Sequence, residues 1–298
     1  MTDLRSMPAA QMDKISARSR RRKTIRKFLG LIIWHATMLL VCAFVLVPIV
    51  LVVLGSFKTV SQFFSNPYGL PDSFGFFNYR RAWHEAHIQT TMLNSLISTG
   101  IGVLVSTFLA CLAAYGLARF NFPGRIPLRL LFIGGLVVPV QLIILPIFIM
   151  FRQLHLLGGI WALTVLYCAL GIPLGVLVLT GFFRALPRDL EDAARMDGAS
   201  HFQIFWRIML PLTRPALAAV VILNSVWMWN DFFLGFILIN RQSSFTLPRG
   251  IVAFRGTYST EWGLIFASVT ISIIPVVAAY LMLSRQFIAG LTAGSVKG

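Results

Sequence analysis

Charged residues are scarce in this sequence. Of its 298 residues, 26 are Lys or Arg and 10 are Asp or Glu, so that 12% are charged. A soluble globular domain carries roughly 25% charged residues. Because 57% of the residues are hydrophobic, too little polar surface remains to cover them in water. This composition excludes an ordinary soluble enzyme, a disordered chain and a fibrous repeat, and it indicates a polytopic membrane protein.

Signals for a disulfide framework, a nucleotide site or a metal site are also missing. The three cysteines, Cys42, Cys111 and Cys168, lie inside apolar segments without metal-ligand spacing. The sequence contains no Gly-x-x-x-x-Gly-Lys-Ser/Thr phosphate loop and no His-Glu-x-x-His pair. We therefore expect no catalytic residue, no metal site and no cofactor on this chain, and no enzymatic activity.

What the sequence has in abundance is long apolar segments. A helix needs about 20 mostly apolar residues to cross the hydrocarbon core of a bilayer. Six segments meet this condition: Phe28–Leu54, Met92–Leu117, Leu128–Phe151, Gly159–Phe183, Ala216–Ile239 and Leu264–Leu283. None has the alternating pattern of an outer-membrane β-barrel. The predicted fold class is all-α, with six transmembrane helices, of which the first is an uncleaved anchor.

Lys and Arg are shared unequally between the two sides of the predicted membrane. Nineteen fall in the N-terminal tail, the second and fourth connections and the C-terminus, against seven in the other connections. The positive-inside rule makes the richer side cytoplasmic, and an even number of spans places both termini there. Residues 1–27 are interpreted as a basic cytoplasmic tail that sets orientation. Nucleic acid is not an expected partner, since nothing else in the sequence suggests base recognition.

Two connections within residues 28–298, the predicted six-span domain, are too long to be turns. One is the external stretch 55–91, in which Phe76–His87 has helical character. The other is the cytoplasmic loop 184–215. We expect the second of these to carry a function, because short helices in a cytoplasmic loop make a surface for a partner.

The first half of the cytoplasmic loop predicts a short helix. Pro187 suits its first turn, and Asp189, Glu191 and Asp192 complement the positive end of its dipole. Gly198 is expected to end it.

The second half predicts an amphipathic helix. Ser200 and Gln203 have the spacing of a capping box, and Pro211 limits the helix. Four residues fall on one face, opposite Gln203 and Arg207, and form an apolar stripe: Phe202, Phe205, Trp206 and Met209. The stripe is compatible with docking to a protein partner and with a helix lying on lipid headgroups.

The loop resembles the EAA loop of permeases of ATP-binding-cassette (ABC) importers. In that family Glu-Ala-Ala is followed by Gly six residues after the acid, and an Ile-x-Leu-Pro sequence ends nineteen residues after it. Counting from Asp192, Gly198 and Pro211 stand at those two positions. The resemblance implies that the loop couples the permease to an ATPase through Glu191, Asp192, Ala193, Ala194, Asp197, Gly198, Ile208, Leu210 and Pro211. Asp192 stands where the family usually has Glu, so either it or Glu191 is the carboxylate that meets the partner.

The resemblance extends from about Val47 to the end of the chain. Asn78-Tyr-Arg-Arg-Ala-Trp, Ala113-Ala-Tyr-Gly-Leu-Ala-Arg-Phe and Trp229-Asn-Asp-Phe-Phe are similar to the carbohydrate branch, and the six spans are similar to its maltose-type permeases. It implies an ABC importer permease fold in a bacterial inner (plasma) membrane, surrounded by membrane lipid. It also implies a sugar or oligosaccharide as substrate. The implied partners are a second permease, a dimer of the ABC ATPase that binds ATP and Mg²⁺, and an extracytoplasmic sugar-binding protein.

Polar residues inside the predicted spans are candidates for the translocation pathway, because such residues are costly in a bilayer. Gln141 lies between Pro139 and Pro146, which are expected to break the third span. Further candidates lie in the fifth span: Asn224, Trp227, Asn230 and Asp231. An indole ring can stack on a sugar. The alternative is that Asn230 and Asp231 only bond neighbouring helices.

The sequence suggests two other functions less strongly. An ion-coupled secondary transporter of small polar solutes would need acidic relays across the spans, and the sequence offers only Asp231 there. A serine protease is suggested by Gly198-Ala-Ser-His201, but Ser200 has a capping role, and residues adjacent on a helix do not face each other. The protease is rejected.

Overall fold

The computed structural model describes the backbone of residues 9–85, 87–254 and 260–295, and the side chains of most of residues 27–282. In these ranges the chain is built from helices, with no β-strand. The helices are α1 Ala9–Gly55, α2 Val60–Ser65, α3 Phe77–Glu85, α4 Ile88–Arg119, α5 Arg125–Val137, α6 Val140–Gln153, α7 Ile160–Leu170, α8 Ile172–Ala185, α9 Asp189–Met196, α10 His201–Ile204, α11 Leu210–Leu212, α12 Arg214–Asn230, α13 Phe233–Leu238, α14 Leu247–Ile251 and α15 Trp262–Ser295. A π-helical turn, Phe205–Met209, joins α10 to α11. Residues 1–54 and 55–298 form two separate units.

Among the residues that the structure describes, four helical stretches are long and apolar enough to cross a membrane: Lys27–Gly55, Ile88–Arg119, Ile160–Ala185 and Trp262–Met282. Two bent helix pairs bring the number to six if each pair is one span: Arg125–Val137 with Val140–Gln153, and His201–Leu212 with Arg214–Asn230. The predicted all-α class is confirmed, and the predicted six spans lie at the upper end of the range of four to six that the described residues allow.

The third predicted span, Leu128–Phe151, is not one continuous helix. Its two halves, α5 and α6, meet at an angle of 102°. Val138 is extended, with ψ 113°, because the ring of Pro139 excludes the helical conformation from the residue before it. Pro146 lies inside α6, so of the two prolines only Pro139 interrupts the helix.

Small residues let α4 pack closely against α7 and α8. Every fourth residue of α4 is small and buried along one face: Gly102, Ser106, Ala110, Ala114 and Ala118. Opposite them, a Cβ placed on Gly175 would lie 2.6 Å from the Ala110 side chain. A Cβ on Gly102 would lie 2.8 Å from Cβ of Tyr167. Close contact of this kind replaces the hydrophobic effect as the source of helix association in a bilayer.

The stretch 55–91 is folded on itself. Lys58 is buried, and its Nζ donates to the carbonyl oxygens of Asn66 at 2.8 Å and Pro67 at 3.0 Å. Asn78, on α3, donates to the carbonyl oxygens of Ser56 and Lys58. The helical character expected over residues 76–87 corresponds to α3, and α4 begins at Ile88, four residues before the predicted span.

Candidate functional site

The first loop helix, α9, ends at Met196, and Gly198, two residues further on, stops it as the sequence predicts. Gly198 has φ +82°, a left-handed conformation that favours glycine. Its amide donates to the carbonyl of Arg195 at 3.0 Å, and the amide of Ala199 donates to the carbonyl of Ala194 at 2.9 Å. These two bonds form a Schellman motif, which satisfies the carbonyl groups at the helix end. The helix begins at Asp189, so Pro187 lies just before its first turn and not within it.

The second loop helix begins at the predicted capping box. The hydroxyl of Ser200 accepts from the amide of Gln203 at 3.3 Å, and the Gln203 side chain accepts from the amide of Ser200 at 2.8 Å. Pro211 lies near its other end, and the helix stops at Leu212.

The predicted apolar stripe of this helix is wrong in part. Phe205 and Met209 are buried, but Phe202 is 70% and Trp206 39% exposed. The π turn widens the helix at Phe205–Met209, so that Ile204 and Met209, five residues apart, share the buried face and Trp206 lies outside it. Phe202 lies before this turn, on α10. The buried side chains contact α4 and α8, with Phe205 and Tyr115 ring centroids 5.0 Å apart. The helix therefore packs on protein instead of laying its whole apolar face on headgroups.

The two candidate carboxylates of the loop have opposite environments. The Glu191 side chain is 5% exposed, and its Oε1 lies 2.5 Å from Nε of Arg119, which is also 5% exposed. Arg119 further donates to the carbonyl oxygen of Leu186 at 2.9 Å. Asp192 is 63% exposed and contacts Arg195 at 3.4 Å. Of the two, only Asp192 is available to a partner, while Glu191 ties α9 to α4.

The remaining residues of the coupling set divide in the same way. Ala193, Asp197 and Gly198 are exposed, and nothing lies within 4 Å of a Cβ placed on Gly198. Ala194 is buried, and Ile208 and Leu210 are half-buried against the same apolar cluster. Pro211 is half-buried. The loop thus exposes Asp192, Ala193, Asp197 and Gly198, which together form a surface with short side chains. We call this the α9 surface.

Asp231 ends the fifth predicted span early. The predicted helix Ala216–Ile239 is wrong in its continuity, because α12 stops at Asn230 and α13 starts at Phe233. The Asp231 carboxylate accepts from the amides of Leu234 and Gly235, both at 3.3 Å, and so caps α13. It also accepts from the hydroxyl of Tyr167 at 2.9 Å. The carboxylate therefore joins α7 to the break between α12 and α13.

The other pathway candidates are not brought together. Asn224 is buried and donates to the carbonyl of Gly171, at the junction of α7 and α8, at 3.1 Å. Asn230 is exposed and bonds its own helix through the carbonyl of Val226. Trp227 is exposed, with its ring 5.7 Å from that of Tyr167, and Gln141 is exposed on α6. Within the residues that the structure describes, no group of three His, Cys, Asp or Glu side chains could hold a metal ion.

Two residues that complete these contacts were missed by sequence reasoning. From the sequence, Arg119 is only one of the positive charges of the second connection, and Tyr167 is only one residue of the fourth predicted span. The signal for Arg119 is its place two residues after the predicted span Met92–Leu117, in a chain with only 10 acidic residues. No local signal marks Tyr167, since its partner lies 64 residues away.

Long apolar helices define this chain as an integral membrane protein, and comparison with known proteins names its family. The sequence profile of the family described as "Binding-protein-dependent transport system inner membrane component" matches residues 102–288. The chain is 35% identical over 265 residues to the diacetylchitobiose uptake system permease protein NgcG of Streptomyces coelicolor. The matched region covers 88% of each of the two proteins. It is 32% identical over 250 residues to the probable starch degradation products permease AmyC of Thermoanaerobacterium thermosulfurigenes, covering 84% of this chain and 91% of the relative.

The fold is also that of a solved transporter. The chain is similar to one in the crystal structure of a bacterial ABC transporter that imports the acidic polysaccharide alginate, with a TM-score of 0.75 and 23% identity. The likeness covers 88% of this chain and 97% of the other. The chain belongs to the family of binding-protein-dependent transport system inner membrane components. It is a permease subunit of an ABC importer, a multi-pass membrane protein with a transport role and no enzymatic one.

Proposed function

We propose that this chain forms half of the translocation pathway for a sugar or oligosaccharide. The proposal is supported by relatives whose names refer to diacetylchitobiose and to starch degradation products. It places ATP and Mg²⁺ on a separate ATPase dimer, and it includes a second permease and an extracytoplasmic sugar-binding protein as partners. A solved complex of the alginate transporter with its periplasmic protein supports the last of these. The ion-coupled alternative is not favoured, because membership of the family indicates an ABC importer.

The α9 surface is the proposed site of ATPase docking. The observation that carries this proposal is the buried pair of Glu191 and Arg119, which fixes α9 while Asp192 and Ala193 face outward. A partner can approach closely, since Ala193 and Gly198 have little or no side chain. In this assignment Glu191, Ala194, Ile208, Leu210 and Pro211 support the surface from beneath and do not touch the ATPase.

For the pathway, we propose that the exposed members of the candidate set, Gln141, Trp227 and Asn230, face the substrate. Asn224 and Asp231 already have partners inside the chain, so their proposed role is to hold the helices that carry the others. Trp227 supplies the flat apolar face on which a sugar ring stacks.

We also propose that both termini and the loop 184–215 are cytoplasmic, with residues 55–91 on the outside of a bacterial inner membrane. In this proposal residues 1–27 form the basic tail and residues 28–298 form the permease domain. The unequal count of Lys and Arg supports this orientation. The ion pair between Arg119 and Glu191 is consistent with it, because it brings the second and fourth connections to the same end of the bundle.

The test compares Gly198→Trp with Gly198→Ala. Both substitutions put a Cβ at φ +82° and share the same backbone strain of about 1 kcal/mol. Only Trp fills the open space above Gly198. We expect both variants to fold, the Ala variant to retain ATP-driven sugar uptake and an ATPase that co-purifies in mild detergent, and the Trp variant to lose both.

Equal uptake by the two variants would contradict docking at the α9 surface. Recovery of the chain without any ATPase, after cross-linking through a cysteine placed at Ala193, would contradict it as well. The ligand that co-purifies with the captured binding protein identifies the substrate.

A further inference from the structure

An open cleft of about 610 Å³ lies at the end of the bundle that carries the α9 surface. It is bounded by the residues that follow α4, the first three turns of α5 and the end of α8. Its lining residues are Asn121, Phe122, Gly124, Arg125, Ile126, Pro127, Arg129, Leu130, Ile133 and Arg184. None of the functional residues discussed above lines it.

The cleft is positively charged and has no internal counter-charge. Three of its lining residues are arginines, and none of the ten, all in the described part of the chain, is acidic. Arg184 experiences repulsion from both Arg129 and Arg125. Guanidinium groups that gather against this repulsion are suited to an anion, since their planar N–H groups match phosphate oxygens.

Two of the three arginines donate some of their N–H groups to hydrogen bonds within the chain, and these bonds orient the two side chains. Arg125 donates from Nε to the carbonyl of Leu117 at 2.9 Å and from a terminal nitrogen to Asn121. Arg184 donates to the same Leu117 carbonyl at 3.4 Å. Arg129 has no hydrogen bond or ion pair within the described residues. Each guanidinium carries five N–H donors, so donors remain on all three.

The N-terminus of α5 adds to the positive character of the cleft. No side chain caps this 13-residue helix, and its N-cap residue is Gly124, with φ +88°. The first amides of a helix attract anions. In α5 the amide of Arg125 already donates to the carbonyl of Phe122 at 3.3 Å and Pro127 has no N–H, so Ile126 supplies the amide that remains for an anion.

The other part of the lining is apolar and belongs to α5, the first half of the third predicted span. Ile126 and Leu130 are exposed, and α5 has no buried residue along its whole length. A ligand that fits both parts has an anionic head beside the arginines and hydrocarbon chains along α5. A soluble anion would leave the apolar part uncovered.

We propose that this cleft binds the headgroup of an anionic phospholipid, with its acyl chains on the exposed face of α5. Basic pockets between membrane helices on the cytoplasmic side recognise such headgroups. The proposal goes beyond the transport function and does not depend on the α9 surface or on the sugar carried.

The test is native mass spectrometry of the full-length chain in detergent, titrated with dioleoyl phosphatidylglycerol or with dioleoyl phosphatidylcholine. We expect phosphatidylglycerol to bind at least several-fold more tightly. Arg129→Gln and Arg184→Gln should each weaken its binding about 5-fold, and Arg129→Lys should keep most of it. Arg188→Gln is the matched control, because Arg188 is exposed at the same end but does not line the cleft.

Equal binding of the two lipids, or equal loss in the Arg188→Gln control, would overturn the proposal. Competition with inorganic phosphate and with glycerol 3-phosphate separates the possible sources of the phosphate group. No displacement of phosphatidylglycerol by millimolar amounts of either supports a lipid site. Displacement by either would show a site for a soluble phosphate and would also overturn the proposal.

Discussion

The carboxylates of Glu191 and Asp231 are both removed from solvent, wholly or in part, but they bind different partners. Glu191 faces the guanidinium of Arg119, a full opposite charge with almost no solvent contact. Asp231 is half-buried and held by dipoles, namely the Tyr167 hydroxyl and two backbone amides. A buried charge pair leaves an uncompensated charge when one partner is removed, whereas loss of a dipole leaves a carboxylate with other donors. The two carboxylates should therefore differ in how much stability depends on each.

The largest effect is expected for Glu191→Ala. This substitution leaves the Arg119 guanidinium buried without its carboxylate, at a cost of about 3–5 kcal/mol. The measurement is thermal unfolding in detergent, followed by tryptophan fluorescence. The double variant with Arg119→Ala should recover much of the loss, and failure of the second substitution to restore any stability would show that the pair itself is not the source.

A smaller loss, about 2 kcal/mol, is expected for Asp231→Ala. Here the amides of Leu234 and Gly235 lose their acceptor and α13 loses its cap. Hydrogen exchange of the 233–238 segment should rise more than that of α9. Asp231→Asn is the control, because its amide oxygen still accepts, and exchange as fast as in the Ala variant would contradict the capping role.

Tyr167→Phe should cost about 1 kcal/mol, since it removes one hydrogen bond and leaves the ring in place. The same unfolding measurement applies. In the Asp231→Ala background the substitution should have almost no effect, because the acceptor is already gone. An undiminished effect there would mean that the hydroxyl has another partner.

The smallest effect on stability is expected for Asp192→Asn. Asp192 is exposed, and its contact with Arg195 is a surface pair worth less than about 1 kcal/mol. The unfolding temperature should match that of the wild type, in contrast to Glu191→Ala. A large destabilisation would mean that the two neighbouring carboxylates are not divided between fold and surface.

The features of the chain that depend on near neighbours were predicted from the sequence. The capping box of Ser200 and Gln203, the stop at Gly198 and the break at Pro139 each involve residues within five positions, where steric and hydrogen-bonding rules act locally. The positions of the apolar segments follow from composition, but the continuity of the helix Ala216–Ile239 does not.

The parts that were missed depend on distant residues or on a change of helical period. Arg119 lies 72 positions from Glu191, and Tyr167 lies 64 positions from Asp231. The burial of Met209 on the same face as Ile204, five residues before it, depends on the π turn, which a fixed period of 3.6 residues cannot reproduce. Spacing alone could not separate Glu191 from Asp192, because burial decided their roles.

The contacts of Arg119 have a mechanical consequence. This single side chain holds Glu191 on α9 and the carbonyl of Leu186 at the end of α8, while its own backbone is the last residue of α4. The small residues of α4 fit closely against α7 and α8 along the span. A displacement of α9 is therefore transmitted through the Arg119 side chain to α4 and to the end of α8. Because α4 packs closely against α7 and α8, we expect these long helices to move together with it.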